Sequence, residues 1–222
     1  MKASKAIAFS IPLVSMGISS LSNAATIVGV TWFSGVASVA GTSVTPPSAP
    51  GNDNVVGDSP NQFLVIQKDY TAIGPVDLVF DLIDDGGTTE YIILEGVSNS
   101  SGIDWTGYHI ELGFGVGAGF VKSTAGDGLD FDAPDFDSTV DFNPGGFFFP
   151  TFTQTEDDLI ASGGIHPDTA YAGNYIFHID VPDGISQFTL RQSPIANPVP
   201  LPAAVWFFGL ALTGLGYAKA RR

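Results

Sequence analysis

Asp77-Leu-Val-Phe-Asp-Leu-Ile-Asp-Asp-Gly-Gly87, followed by Tyr91-Ile-Ile-Leu94, is the stretch that decides the fold. Leu78, Phe80 and Leu82 alternate with Asp77, Val79 and Asp81, the two-residue period of a half-buried strand. Asp84-Asp85-Gly86-Gly87 predicts a hairpin turn, and Tyr91 to Leu94 a more continuously apolar strand. The pattern recurs. Ile110, Leu112 and Phe114 alternate with His109, Glu111 and Gly113, and Tyr175, Phe177, Ile179 and Val181 alternate with Ile176, His178 and Asp180. Phe63 to Tyr70 and Phe188 to Arg191 add two strands, and no helical period persists beyond a turn or two. Short strands separated by turns predict an all-β fold, an antiparallel β-sandwich of jelly-roll-like type over residues 25–192. Thr42 to Asp58, rich in Pro, Gly, Asn and Ser, reads as a long loop, and residues 193–198 as a linker.

The charge balance narrows the function classes. All 23 acids lie between Ala25 and Pro198, against three bases there (Lys68, Lys122 and Arg191), so this body carries a net charge of −20. Such a surface repels nucleic acid, and repels anionic polysaccharide unless cations bridge the two. The chain has no cysteine, which excludes disulfides, thiol nucleophiles and thiolate metal sites.

The two ends read as handling signals. Lys2 and Lys5, the apolar run Ala6 to Met16 and the small residues of Ser22-Asn23-Ala24 predict a signal peptide over residues 1–24, cut before Ala25. At the other end, Ala203 to Ala218 is an uncharged run of 16 residues. As a helix it measures about 24 Å, a marginal membrane span. Lys219, Arg221 and Arg222 follow it, and the positive-inside rule expects that tip in the cytoplasm with the body exported. Val199-Pro200-Leu201-Pro202-Ala203, then Val-Trp-Phe-Phe-Gly209, the apolar run and Arg221-Arg222 resemble the VPLPA-type variant of the PEP-CTERM sorting signal. The resemblance covers residues 199–222. It implies recognition by exosortase, a membrane peptidase of Gram-negative bacteria that also make exopolysaccharide, with membrane anchoring before processing and a cell-surface or extracellular destination afterwards. A second stretch, Val97-Ser-Asn-Ser-Ser-Gly-Ile-Asp-Trp-Thr-Gly-Tyr-His-Ile-Glu-Leu112, is similar to a phrase of exported bacterial β-sandwich domains. It implies that Trp105 and Tyr108 anchor a sandwich core.

Chemistry-bearing residues are few. In Asp127 to Asp141, an extended chain would place Asp130 with Asp132, and Asp135 with Asp137, on shared faces, with Phe131 and Phe136 turned to the core. These four carboxylates are the candidate calcium ligands, set against an acidic solvated face; the EF-hand loop pattern is absent. His109 with Glu111, and His178 with Asp180, would offer four zinc ligands only if their strands were neighbours. His166 sits in an expected loop, and Asn99-Ser-Ser101 is expected to be a turn. Gly113 to Gly119 reads as a glycine-rich strand with bends or a bulge, and Phe147-Phe148-Phe149 cannot all face one side of a strand. With no nucleophile elbow or Ser/His/Asp set, the expected function is a non-catalytic surface or extracellular-matrix structural protein. The alternative is a calcium-assisted carbohydrate-binding module; a glycosidase would need one carboxyl in an apolar pocket, which sequence does not show.

Overall fold

The computed structural model describes residues 25–44, 62–83, 87–133, 136 and 139–196. The signal peptide, Asp135, Asp137 and the whole sorting signal from Val199 to Arg222 lie outside the described residues. Eleven strands are present among them: β1 (Thr26–Phe33), β2 (Ala37–Val44), β3 (Gln62–Tyr70), β4 (Val76–Ile83), β5 (Thr89–Asn99), β6 (Trp105–Phe114), β7 (Val121–Lys122), β8 (Thr151–Gln154), β9 (Asp158–His166), β10 (Tyr171–Val181) and β11 (Gln187–Ile195). One sheet runs β1-β4-β11-β6-β9-β8, with β7 added to β6; the other runs β10-β5-β3-β2. The sheets pack face to face as a β-sandwich. Apart from two short 3₁₀ turns, the described residues contain no helix.

Two expectations are corrected. The sandwich is not wholly antiparallel, because β3 and β5 pair in parallel, Leu64 opposite Ile93 and Lys68 opposite Val97. Between them the chain traverses the other sheet as β4, and that crossover returns it in the same direction. Nor do β4 and β5 form a hairpin. β4 pairs with β1 and β11, while β5 pairs with β10 and β3, so the two consecutive strands belong to different sheets. Alternation fixes which face of a strand is buried; it does not choose the neighbour. The strand β2 also takes in Thr42 to Val44 from the expected loop, and β11 extends through Ile195, three residues into the stretch read as linker.

The core lies between the sheets and is largely aromatic. Leu78 and Phe80 are fully buried, as are Trp105 and Tyr108, the anchors expected from sequence. Trp105 meets Tyr70 edge-on, with centroids 5.2 Å apart, and Phe80 stacks on Phe188 at 4.7 Å. Such pairs contribute about 0.5–1.5 kcal/mol each beyond their burial. In the Phe147–Phe149 run Phe147 is exposed, Phe148 is half-buried and Phe149 is buried, so the three do face different sides.

The described residues of the acidic segment do not form an extended strand. Asp132 and Phe136 both have left-handed backbones, φ 54° and 47°. Phe131 is buried as expected, but Phe136 is 44% exposed because the turn at Asp132 breaks the alternation. The segment instead lies along the edge of β10. Backbone bridges join Asp130 to Asp180 and Asp141 to Ile176, covering part of an edge that would otherwise offer unpaired amides and carbonyls.

Candidate functional site

Outward-facing positions of four neighbouring strands form one charged row on the larger sheet. Asp77 on β4 is opposite Arg191 on β11, Arg191 is opposite Glu111 on β6, and Glu111 is opposite Asp158 on β9. Arg191 binds Asp77 through two of its guanidinium nitrogens, Nε to Oδ1 at 2.7 Å and a terminal nitrogen to Oδ2 at 2.8 Å. That geometry is the strong, bidentate kind, and it raises the Arg191 pKa further. The glycine-rich stretch folds over this pair. Gly117 donates its amide to Asp77 at 2.6 Å, its carbonyl accepts from Arg191 at 2.7 Å, and Phe120 covers the guanidinium at 4.0 Å. The reversal requires glycine: Gly115 has φ +76°, and a Cβ at Gly113 would lie 2.3 Å from the Val121 carbonyl. The stretch is therefore the turn from β6 into β7. Beneath it runs a groove of about 420 Å³ lined by Thr31, Phe33, Val79, Phe114, Gln187 and Thr189.

At the other end of the row, His109, Glu111 and Asp158 bring one ligand atom each within 4.8 Å of one another. One imidazole and two carboxylates suit a zinc-type or similar divalent ion. Asp158 is already engaged, by His109 Nε2 at 3.0 Å on one oxygen and by the Lys122 ammonium on the other. Burial alone would raise its carboxyl, but the hydrogen bonds from Lys122 and His109 hold it below the usual range. With both Asp158 oxygens engaged, His109, Asp158 and Lys122 are joined as an ion-pair network. The four-ligand zinc arrangement does not form. His109 is in the larger sheet, whereas His178 is in the smaller one, buried with Nδ1 2.6 Å from Glu90. Of the proposed calcium ligands, Asp130 accepts from the Ala133 amide at 2.7 Å and Asp132 is only 5% exposed.

A dense polar site lies inside the sandwich. Lys68 and Glu95, on neighbouring strands of the smaller sheet, face Tyr108 and Gln192 of the larger one, and the four side chains are buried. Lys68 Nζ donates to Glu95 Oε2 at 2.7 Å and to the Tyr108 hydroxyl at 3.1 Å. The Tyr108 hydroxyl donates to Gln192 Oε1 at 3.0 Å, and Gln192 Nε2 donates to Glu95 Oε1 at 2.5 Å. The circuit is closed, and Tyr70 joins it through the Tyr108 hydroxyl at 3.0 Å. Burial drives the Lys68 ammonium toward its neutral form, against the attraction of Glu95. Burial also pushes the Tyr70 and Tyr108 phenols up, so both stay protonated.

Sequence reading did not find this circuit. The available signal was parity: Lys68 continues the inward series Leu64, Ile66, Lys68, Tyr70, and Glu95 continues Tyr91, Ile93, Glu95, Val97. His166, expected in a loop, ends β9 and is fully buried. Its Nδ1 lies 2.8 Å from the Tyr175 hydroxyl and its Nε2 3.1 Å from the Ala170 carbonyl, and burial depresses its pKa. Comparison with protein-family models, with curated proteins and with solved structures gave no match.

Proposed function

We propose that this chain is an exported, exosortase-processed structural protein of the cell surface or extracellular matrix, without catalytic activity. Its body is a jelly-roll-like sandwich between a cleaved leader and a short membrane-spanning sorting segment, residues 203–218. The observation that carries this reading is how the body's cations are used. All three (Lys68, Lys122 and Arg191) are held in ion pairs that brace strand to strand. Together with the buried circuit, they tie a cysteine-free sandwich together, which suits a protein exposed to the outside. Replacing Pro200 and Pro202 by Ala tests the sorting half of the proposal. Helix would then extend toward Asn197 and hide the recognition segment, so full-length protein should accumulate in the membrane; unchanged processing of that double variant would overturn it.

The calcium-assisted carbohydrate reading draws support from a shallow surface hollow where exposed Phe147 and Ile165 flank Asp104 and Asn143. An exposed ring beside polar groups is the usual platform for a sugar face. A calcium-specific rise in melting temperature, absent with Mg²⁺ and with NaCl of equal ionic strength, would favour it. Equal shifts from all three would leave an acidic surface responding to screening alone.

A further inference from the structure

The buried circuit holds the ingredients of a covalent bond. A primary amine and a carboxamide, from opposite sheets, are hydrogen-bonded to the two oxygens of one carboxylate. The same two groups are also joined by one phenol, which accepts from Lys68 Nζ and donates to the Gln192 carbonyl oxygen. Nζ and the Gln192 amide thereby share two bridging partners, Glu95 and Tyr108, with water excluded: Lys68 is 2%, and Glu95 and Gln192 0%, exposed. We propose that Lys68 and Gln192 form an autocatalytic isopeptide cross-link, with Glu95 as the proton-transferring catalytic residue and Tyr108 as the donor to the developing oxyanion.

The step balances without any added reagent. Glu95 Oε2 takes a proton from the Lys68 ammonium, and the freed lone pair attacks Gln192 Cδ. The carbonyl oxygen gains negative charge against the Tyr108 hydroxyl, the arrangement by which a positioned donor stabilises an oxyanion. The tetrahedral intermediate collapses as the Cδ–Nε2 bond breaks, and Nε2 departs as ammonia with a second proton relayed through Glu95. Of the three ammonium protons, one remains on the new amide nitrogen, one leaves in ammonia and one stays on Glu95. Nothing is oxidised or reduced. Burial favours the neutral amine of Lys68, the form that can act as a nucleophile. The product would join β3 to β11, stapling the two sheets with a bond between positions 68 and 192 in a chain that has no cysteine.

The test is mass spectrometry of the full chain after folding and protease digestion. The expected result is that the segments containing Lys68 and Gln192 emerge as one branched species, about 17 Da lighter than their sum because ammonia has left. Lys68→Met and, separately, Glu95→Gln should each give two independent peptides of full mass. Wild-type protein that is folded by circular dichroism, yet yields separate Lys68 and Gln192 peptides at full mass, overturns the proposal. That outcome is read on the wild-type chain, so it does not depend on either variant folding.

Discussion

Asn99 offers the sharpest test of how the connection between the two sheets is held. The side chain ends β5, is fully buried and makes four hydrogen bonds. Nδ2 donates to the carbonyls of Ile103 at 2.9 Å and His166 at 3.1 Å, while Oδ1 accepts from the amide of Ser101 at 3.0 Å and from its hydroxyl at 2.6 Å. The Ser101 hydroxyl in turn accepts from the Trp105 indole at 3.0 Å. Each such bond contributes about 0.5–1.5 kcal/mol net, and an orphaned buried partner costs more. Asn99→Ala should therefore cost about 3 kcal/mol, lowering Tm by about 6–12 °C for a body of this size. Asn99→Asp nearly preserves shape but replaces two donors with an oxygen facing two carbonyl oxygens. At neutral pH it should cost more than the alanine variant. The introduced carboxyl would have its folded pKa raised above the unfolded value of about 3.9. Its penalty should be complete above the folded pKa and should shrink, relative to wild type, as pH falls through it. Urea denaturation followed by circular dichroism at pH 7 and pH 4 measures both effects. If Asn99→Asp proves milder than Asn99→Ala at pH 7, the donor assignments are wrong.

Two further expectations concern the core. His166 has its pKa depressed by burial, so the folded state resists its protonation; its contribution is fully present above the unfolded pKa of about 6.5 and is lost progressively as pH falls below that. Denaturation midpoints of wild type and His166→Gln between pH 8 and pH 5 should show a steeper decline for wild type, and parallel curves would contradict the buried neutral imidazole. Phe131→Ala should cost about 3–5 kcal/mol, whereas Phe147→Ala, at a position 78% exposed, should change stability by less than about 0.5 kcal/mol; equal effects in thermal melts would mean that the acidic segment does not pack as described.

Much of the sandwich was legible because alternation is a local signal. Leu78, Phe80 and Leu82, the inward residues of β6 and those of β10 follow directly from it, as do Trp105 and Tyr108 as anchors. Strand partnership was not legible, since Asp84 to Gly87 carries hairpin chemistry while the strands on either side, β4 and β5, belong to different sheets. The long-range register that sets Lys68 near Gln192, and Asp77 against Arg191, depends on the closed tertiary structure. Asp132 shows the limit of periodicity: one left-handed residue reversed the facing expected of Phe136. The four-ligand zinc reading failed likewise, because His109 and His178 share a strand pattern but belong to different sheets, while Asp158, the residue that does meet His109, lies far along the chain.

Export of this sandwich and its release from the sorting segment, as proposed above, set the composition of the mature chain. The most direct measurement is the mass of the mature protein recovered from cells that carry an exosortase. A chain that begins at Ala25 and lacks the apolar run Ala203 to Ala218 is the predicted result. A chain that still carries Met1 to Ala24, or that retains Trp206 through Arg222, would contradict it.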